Sequence, residues 1–539
     1  MDRQAALKAL QAGETFDLLV VGGGATGCGV ALDAASRGLK VALVERNDFA
    51  EGTSSKSTKL VHGGARYLEL AIRRLDRVQF NLVRDGLRER AIFLKNAPHL
   101  AHRLALLSPL YRWFDVPYVF AGLYLYDRLA GKLGLGGSRL LSRAEALRRF
   151  PMLKAEGLKA AVLYYDGQFN DARMAVTLAL TAVEQGAVIA TRLDVVGLTH
   201  EKGKLRGATV HDRESRKSFE IKARAIINAG GPFADSLRLM ADPETAPILT
   251  ASSGIHIVLD RRFAPTETGL MIPETEDGRL LFVLPWQGHA LIGTTDEPAR
   301  IEENPQARQE AIDYLLRHVR KYFNMNVTEA DLLSVWCGLR PLVSDPKAAD
   351  TARLARDHII EVSKSGLVTI CGGKWTTYRK MAEQTVDHAI ACFSLPTHSK
   401  CRTLDLPLVG ARHFDAAGGA AALTSTFGLS PETAAHLHQA YGDRAKQVLG
   451  CVDTSAMKTL LHPLHPYLEA EVLYSARFEA ALSAMDVLAR RLPLALLDRQ
   501  AAREAAPRVI AMLATELAWD EQRCANEAAE VEQRLSEAI

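Results

Sequence analysis

One segment near the start of the chain limits the fold more than any other, because it joins a buried strand to a glycine-rich turn. Residues Phe16–Val21 read FDLLVV, and the turn Gly22–Gly27 (GGGATG) follows directly. The alanine-rich stretch Cys28–Arg37 predicts a helix that ends at Gly38, and Lys40–Val44 predicts a second strand. A strand, a GxGxxG turn, a helix and a strand in this order predict a unit that binds a dinucleotide.

The glycines of this turn have separate physical tasks. Gly22 allows the tight turn, Gly24 lets the backbone approach a pyrophosphate, and Gly27 lets the helix pack closely on the strand. Glu45 ends the second strand 23 residues after Gly22, where a carboxylate can accept hydrogen bonds from an adenosine ribose. These residues leave the choice between a nicotinamide and a flavin dinucleotide open.

The composition is that of an ordinary globular protein. The 539 residues carry 66 Lys and Arg against 63 Asp and Glu, a net charge of +3, with 48% hydrophobic residues. This excludes disordered, collagenous and strongly acidic chains. No run of eighteen residues lacks a charge, the first residues do not resemble a secretory signal, and the seven cysteines form no CxxC pair. We therefore expect an intracellular protein with reduced thiols, no membrane-spanning segment and no metal site.

The middle of the chain alternates between helices and strands. Asp171 is predicted to cap a helix through Glu184, and three short strands of a meander are predicted at 194–199, 205–211 and 218–221. The segment Ala225–Pro232 reads as a buried strand ending in Asn-Ala-Gly-Gly, with Gly230 at the turn. It resembles the second dinucleotide-facing strand of glutathione-reductase-like flavoproteins, although an ordinary strand-to-helix turn is the alternative.

The later sequence predicts a second sheet and then a helical region. Strands predicted between about 245 and 362, including Gly254–Leu259 and His358–Val362, are expected to form a sheet that covers the substrate. Leu367–Cys371 is predicted to be the last core strand, followed by a helix to about Cys392. From residue 400 onward, Ala, Leu, Glu and Arg recur at helical spacing. We therefore expect one domain over 1–399, which contains both sheets, and a helical domain over 400–539.

A series of motifs connects the chain to a known family. They are GGGATG, HGGARYL (62–68), YYDGQFNDAR (164–173), GIHIVL (254–259), LPWQGHALIGTTD (284–296), CGLRPL (337–342) and GGKWTTYR (372–379). In this order and spacing the chain resembles aerobic FAD-dependent glycerol-3-phosphate dehydrogenases nearly from end to end. The resemblance implies a glutathione-reductase-like FAD-binding domain of α/β class, an inserted and mainly antiparallel β substrate domain, and a C-terminal α-helical domain.

The same resemblance implies the cofactor, the reaction and the residues that contact the flavin. FAD would oxidise sn-glycerol 3-phosphate to dihydroxyacetone phosphate and pass the electrons to a membrane quinone. The serine-rich approach to HGGARYL resembles the family's flavin-contacting segment, which makes Ser54 and Ser55 candidates. Gly372 and Gly373 precede a helix whose positive end is expected to face the flavin pyrimidine. Read without the resemblance, Thr53–Leu68 is a polar loop.

Oxidation of a secondary alcohol needs a base within hydrogen-bond reach of the hydroxyl proton. Histidine titrates in the useful range, and His256 alternates with apolar neighbours so that it points to one face of a strand. His256 is the first candidate for the base, and His62 is the second. A satisfied structural histidine is the alternative for either position.

The substrate phosphate is a dianion, for which guanidinium groups and a lysine are suitable partners. The cationic candidates that lie in family motifs are Arg66, Arg340, Arg356 and Lys374. Arg340 is also placed near the reacting carbon, and Tyr67 and Thr376 are candidates for neutral hydrogen bonds. Pairs such as Arg490-Arg491 match no motif, and they are expected on solvated faces.

A quinone acceptor requires contact with a membrane without crossing it. Leu104–Leu129 is rich in Tyr, Trp, Phe and Leu and is interrupted by charges, which suits the headgroup region of a bilayer. An internal packing insert is the alternative. The expected location is the cytoplasm, peripherally bound to the cytoplasmic face of the inner membrane.

Other functions stay open at this point. A glycerol-3-phosphate oxidase would deliver the electrons to dioxygen, and an amine oxidase of this fold would act on glycine or sarcosine. An RNA-binding or RNA-modifying flavoprotein is disfavoured because the charge is nearly neutral and no basic stripe is present. A non-catalytic flavoprotein is also disfavoured, and no nucleic-acid partner is expected. The sequence does not determine the oligomeric state, and a homodimer is one of the alternatives.

Overall fold

A computed structural model describes residues 1–64, 68, 76–272, 275, 279–343 and 358–537 of the chain. The strands are β1 Phe16–Val21, β2 Val41–Val44, β3 Leu60–Val61, β4 Ala101–Leu110, β5 Arg139–Ser142, β6 Ala160–Phe169, β7 Val188–Ala190, β8 Leu193–Glu201, β9 Lys204–Asp212, β10 Ser218–Asn228, β11 Leu249–Leu259, β12 Thr268–Ile272, β13 Leu281–Trp286, β14 His289–Gly293, β15 Glu297–Ala299, β16 Leu332–Val343, β17 His358–Val362 and β18 Leu367–Gly372. The helices are α1 Arg3–Leu10, α2 Ala25–Ser36, α3 Arg77–Asn96, α4 Asp115–Ala130, α5 Arg143–Arg149, α6 Asp171–Glu184, α7 Ala234–Ala241, α8 Gln309–Tyr322, α9 Tyr378–Phe393, α10 Gly419–Phe427, α11 Pro431–Tyr441, α12 Ala445–Leu449, α13 Glu469–Phe478, α14 Leu494–Leu497, α15 Arg499–Leu517 and α16 Glu521–Ser536.

The first sheet contains the predicted nucleotide-binding unit. Its strand order is β17-β18-β10-β1-β2-β7, and β1 pairs in parallel with both β2 and β10. The predicted strand, turn, helix and strand at the start of the chain are confirmed, with α2 connecting β1 to β2. The sequence predicts one strand at 218–221 and another that begins at Ala225. In the structure these two are a single strand, β10, which ends at Asn228. The cap of α6 is Asn170, whose side chain accepts from the Arg173 N–H, and not Asp171.

The second sheet is larger than the sequence indicates. Its order is β15-β11-β14-β13-β12-β4-β6-β3, with β16 on β11 and β5 on β6. It therefore combines strands from residues 60–169 and 249–343, so that the expected interval of about 245–362 supplies only part of it. Its pairs are antiparallel except for the parallel pair of β4 and β12.

The placement of His358–Val362 in this second sheet was wrong. This segment is β17, which pairs antiparallel with β18 at the edge of the first sheet. A tight turn joins the two strands, since the Gly366 N–H donates to the Ser363 carbonyl at 3.0 Å and Gly366 has a φ of +96°. A hairpin of this kind keeps neighbouring strands in the same sheet.

Residues 419–536 form the helices that the spacing predicts, interrupted at 450–468 by turns, and these helices pack on the second sheet. Val487, Leu488 and Leu513 of this region share an apolar core with Val258 of β11 and Leu284 of β13. The C-terminal helices therefore cover one face of the sheet that carries GIHIVL.

The predicted aromatic segment Leu104–Leu129 is divided between two elements. Its first part lies in β4, and the remainder leads into α4. In the part of the chain that the structure describes, no helix combines the length and the apolar character needed to cross a membrane.

Candidate active site

The glycine-rich turn has the close backbone packing that a dinucleotide site needs. Gly22 has a φ of +114°, and a Cβ at this position would lie 2.5 Å from the Ala229 carbonyl oxygen. A Cβ on Gly27 would lie 1.8 Å from the Gly22 oxygen. Larger residues are therefore excluded at both positions. Gly24 precedes α2 and offers no capping side chain, and the Ser54 hydroxyl accepts from the Ala25 N–H at 3.0 Å.

This end of α2 opens on a cavity of about 280 Å³. The predicted cofactor residues that line it are Gly22, Gly24, Glu45, Ser54, Gly230, Gly372 and Gly373. Gly27 is buried behind the turn, where it serves the packing of α2. Ser55 is buried and lines neither this cavity nor the next one, and its carbonyl accepts from Lys59 Nζ at 2.5 Å. A direct contact of Ser55 with the cofactor is therefore not supported by this geometry.

Glu45 stands at the carboxyl end of β2. Its carboxylate accepts from the Gly23 N–H at 2.6 Å and from the Asn47 N–H at 2.8 Å. Burial raises the pKa of Glu45, while these two amide hydrogen bonds act in the opposite direction. The carboxylate is held in place at the cavity wall, and its contact with a ribose stays a prediction.

A second cavity, of about 340 Å³, shares Thr53 and residues 372–375 with the first. It brings together five of the predicted catalytic and substrate-binding residues, which are His62, His256, Arg340, Lys374 and Thr376. The other three, Arg66, Tyr67 and Arg356, lie outside the described residues. The size suits a small ligand.

Strand register places His256 in this cavity. On β11 it lies opposite Gly293 of β14 and Trp336 of β16. The imidazole stacks on the Trp336 indole with the ring centroids 4.2 Å apart, and a Cβ on Gly293 would lie 2.2 Å from His256 Cδ2. Gly293 of the LIGTTD motif therefore provides the space that the ring occupies.

The surroundings of His256 favour the neutral form of its imidazole. Nε2 lies 3.0 Å from the Thr58 hydroxyl, and Nδ1 is buried without a hydrogen-bond partner among the described residues. Burial lowers the pKa of His256 well below its ordinary value, and the charges of Lys59 and Arg340 lower it further. A neutral imidazole can accept a proton from a substrate hydroxyl.

A buried ion pair supports the segment that contacts His256. Lys59 Nζ lies 2.7 Å and 2.8 Å from the two carboxylate oxygens of Asp171 and 4.6 Å from the centroid of the Trp336 ring. The same carboxylate accepts from the Ser57 hydroxyl at 2.7 Å. Thr58 lies between these two anchored residues, so that its hydroxyl is directed at His256.

Arg340 approaches the cavity from β16. A Cβ on Gly254 would lie 2.3 Å from Arg340 Nη2, so the glycine of GIHIVL gives the guanidinium its space. Nη1 donates to Asp296 at 3.0 Å, and Nη2 donates to the Thr294 hydroxyl and the Thr295 carbonyl at 2.9 Å. Its side chain is 27% exposed, which leaves part of the group accessible from the cavity.

Residues 62–64, which begin the HGGARYL motif, form hydrogen bonds on two sides. The His62 N–H donates to the Thr376 hydroxyl at 3.2 Å, and the Gly63 N–H donates to the Tyr126 hydroxyl at 2.7 Å. Tyr126 in turn donates to Asp166 at 2.9 Å. His62 and Thr376 thus lie on adjoining parts of the cavity wall.

The cavity also contains polar residues that the sequence motifs did not single out, and Lys56, Thr58, Asp166, Arg279 and Asp296 are among them. Burial lowers the pKa of Lys56 to about 8, and the charge of Arg534 adds to the effect. Burial raises the pKa of Asp166 to about 6, against the effect of Arg90. The signal for Lys56 and Thr58 was the SSKST approach to HGGARYL, and the signal for Asp166 was its place in YYDGQFNDAR.

The residues present fit FAD. Two cavities meet at residues 372–375, one beside a glycine turn with no room for a Cβ and the other beside His256 and Arg340. The first suits the dinucleotide part of a cofactor, and the junction suits a flat ring. The segment Trp375–Thr377 leads into α9 at this junction, with the positive end of the helix on the same side.

Comparisons with known proteins agree with this arrangement. The family described as FAD dependent oxidoreductase matches residues 17–379, and the C-terminal domain of alpha-glycerophosphate oxidase matches residues 401–524. The probable mitochondrial glycerol-3-phosphate dehydrogenase of Caenorhabditis elegans is 48% identical over 532 residues, which cover 97% of this chain and 73% of that protein. The mitochondrial glycerol-3-phosphate dehydrogenase of Homo sapiens is 44% identical over 534 residues, with the same two coverages of 97% and 73%.

A solved structure is also similar over the whole chain. The glycerol-3-phosphate dehydrogenase from Bacillus halodurans, complexed with FAD, superposes with a TM-score of 0.81 at 29% identity and covers 99% of this chain and 97% of its own. The family match covers more than half of the residues, and the relatives exceed 40% identity over nearly all of them. The chain therefore belongs to the FAD-dependent oxidoreductase family and, within it, to the glycerol-3-phosphate dehydrogenases, with FAD as its cofactor.

Proposed function

We propose that this enzyme oxidises sn-glycerol 3-phosphate to dihydroxyacetone phosphate and passes the electrons to a membrane quinone. The observation that carries the proposal is the second cavity, where a neutral histidine and several cations surround a space next to the cofactor cleft. FAD, when bound, supplies the acceptor at N5 for the hydride that leaves C2 of the substrate.

The charges of the cavity suit a phosphate dianion. Its lining includes four cationic side chains, from Lys56, Arg279, Arg340 and Lys374, against two acidic ones, from Asp166 and Asp296. Lysine and arginine are the usual partners of phosphate oxygens. Lys374 and Lys56 are assigned here to the phosphate, and Arg66, Tyr67 and Arg356 stay candidates for the same group.

His256 is assigned the role of base. The hydroxyl proton at C2 moves to His256 as the C2 hydride leaves, so that the alcohol loses two electrons and two hydrogens and becomes a ketone. Thr58 and Trp336 keep the imidazole in one orientation during this transfer. Arg340 stabilises the negative charge that develops on the oxygen.

The proposed reaction predicts a specific spectral change. Anaerobic addition of glycerol 3-phosphate to the purified holoenzyme is expected to bleach the visible flavin band, while glycerol at the same concentration leaves it unchanged, because glycerol lacks the phosphate. Stopped-flow absorbance measures both. Bleaching by glycine or sarcosine, with none by glycerol 3-phosphate, would contradict the substrate and favour the amine oxidase.

The acceptor is tested by a separate measurement. Oxygen uptake with glycerol 3-phosphate is expected to be slow, and a short-chain quinone is expected to accelerate turnover. Fast oxygen uptake with release of peroxide, and no effect of the quinone, would show that dioxygen is the electron acceptor and that the enzyme is an oxidase.

The surface proposed to meet the membrane lies at the start of α4. Trp113 is 65% exposed and Phe114 is 90% exposed, and Tyr118 and Tyr124 of α4 are 50% and 46% exposed. Large exposed apolar side chains grouped in this way mark an interaction surface. Aromatic rings close to the cationic Arg112 suit the headgroup region, which supports peripheral binding to the cytoplasmic face of the inner membrane.

The membrane proposal predicts the effect of a double substitution. Replacing Trp113 and Phe114 with serine is expected to lower partitioning onto vesicles of phosphatidylethanolamine and phosphatidylglycerol by about tenfold or more, since burial of one such side chain contributes about 1.5 to 3 kcal/mol. Vesicle sedimentation measures it. Leu464→Ser is the control, because Leu464 is 78% exposed but lies among the C-terminal helices. Equal binding of the double variant and the parent protein would show that the start of α4 is not the surface that binds the membrane.

A further inference from the structure

The arginine pair that the sequence analysis expected on a solvated face is buried. Arg490 is 5% exposed and Arg491 is 1% exposed, at the end of the π-helical turn Asp486–Arg491 in the C-terminal helical region. Both reach Asp48, which is 1% exposed. Arg491 donates to the two oxygens of Asp48 at 2.7 Å and 2.8 Å, and Arg490 Nε donates to Asp48 at 2.5 Å. The carboxylate of Asp48 is therefore held by two guanidinium groups from the far end of the chain.

Glu51, three residues after Asp48, also has partners in the C-terminal helical region. Glu51 accepts from Arg534 of α16 at 2.6 Å, and Arg490 lies 3.5 Å from it. Asp486 holds Arg490 in place at 2.6 Å. Burial would raise the pKa of Glu51, but the charges of Arg490 and Arg534, together with that of Arg192, outweigh it and keep the pKa below its ordinary value. Glu51 is thus ionised and paired in the folded protein.

Asp48 and Glu51 belong to residues 46–55, which we call the FAD loop. Most of this loop, including Asp48, Glu51 and Ser54, lines the cavity of the glycine turn. Its Ala50 N–H donates to the Gly23 carbonyl at 3.1 Å, and the Ser54 carbonyl accepts from Trp375 Nε1 at 2.9 Å. The loop therefore connects the glycine turn to the segment that precedes α9.

The conformation of the loop requires support from outside. Ala50 has a φ of +59°, in the left-handed region that residues with a Cβ avoid. Such a residue keeps this conformation only when its surroundings hold it. The two carboxylates that flank Ala50 at positions 48 and 51 are the ones held by the C-terminal arginines.

We propose that the C-terminal helical region acts as a clamp on the FAD loop, with Arg490, Arg491 and Arg534 as positioning residues that slow the release of FAD. The clamp acts through Asp48 and Glu51, which keep the turn at Ala50 against the glycine turn. The inference depends on FAD as the cofactor and not on the substrate or the electron acceptor, so it stands or fails separately from the proposed reaction.

The test measures FAD release from the holoenzyme. Arg534→Gln keeps a polar side chain of similar length at a position 17% exposed, so the protein is expected to fold. Its release of FAD on dilution, followed by the rise in flavin fluorescence, is expected to be about tenfold faster than in the parent enzyme. The temperature of unfolding of the helices, measured by circular dichroism, is expected to change little. Asp48→Asn is expected to act in the same direction.

A matched control and a rescue distinguish positioning from general weakening. Arg508→Gln removes an arginine that binds Glu469 through two hydrogen bonds of 2.6 Å in the same helical region, away from the FAD loop, and release is expected to stay at the parent rate. Ala50→Gly added to Arg534→Gln is expected to slow release again, because glycine adopts a φ of +59° without a steric penalty. Release at the parent rate in Arg534→Gln overturns the proposal, and so does fast release that Ala50→Gly does not slow.

Discussion

Arg340→Ala is expected to give a folded, yellow protein whose flavin is reduced by glycerol 3-phosphate about 10²- to 10³-fold more slowly than in the parent enzyme. The guanidinium lies in the same cavity as His256, and it is the fixed positive charge that we place beside the developing alkoxide. Its removal leaves that developing charge without a fixed positive charge beside it. Anaerobic stopped-flow reduction at saturating substrate measures the effect on the chemical step.

The control for Arg340→Ala is another arginine, which lies in the short helical turn after β11. Arg262 is 61% exposed and binds Asp331 at 2.6 Å, and Arg262→Ala is expected to reduce the flavin at the parent rate. Arg340→Ala also takes a partner from Asp296, so its unfolding temperature must be measured beside the rate. A rate within threefold of the parent would remove Arg340 from the reacting centre.

His256→Gln is expected to slow flavin reduction by about 10²- to 10⁴-fold, the usual contribution of a general base. The amide of glutamine keeps a polar group near Thr58 but cannot accept the proton at neutral pH. His62→Gln is expected to have a smaller effect, and a larger loss in His62→Gln than in His256→Gln would transfer the role of base to His62. His289→Gln is the control, because His289 lies on β14 but lines neither of the two active-site cavities.

The lowered pKa of His256 has a consequence for the pH profile. A base works in its deprotonated form, and burial together with Lys59 and Arg340 keeps the imidazole deprotonated as the pH falls through 6.5. The rate of flavin reduction is therefore expected to show no loss centred at the ordinary pKa of histidine. In Arg340→Ala one of the charges that lower the pKa is absent, so the acid limb of the residual rate is expected to move to higher pH.

The sequence alone predicted those elements whose residues are close neighbours along the chain. The run FDLLVV, the glycines of GGGATG and the alanine-rich helix lie together in one short stretch, and the steric limit at Gly27 comes from the Gly22 oxygen of the same turn. The limit at Gly22 is not local, because it comes from the Ala229 carbonyl directly after β10. Helical spacing after residue 400 is a local feature. The motifs also identified His256, Arg340 and Lys374, although no pattern in the sequence showed that they line one cavity.

Tertiary structure decided the features that depend on distant partners. The second sheet includes β3–β6, which come from a separate part of the chain. The strand β17 belongs to the first sheet because it forms a hairpin with β18. Arg490 and Arg491 look like a solvated pair in the sequence, yet they are buried because Asp48, more than 400 residues away, supplies the opposite charge. Strand pattern and turn geometry are set by neighbouring residues, whereas the burial of a charge depends on whether the fold brings a counter-charge to it.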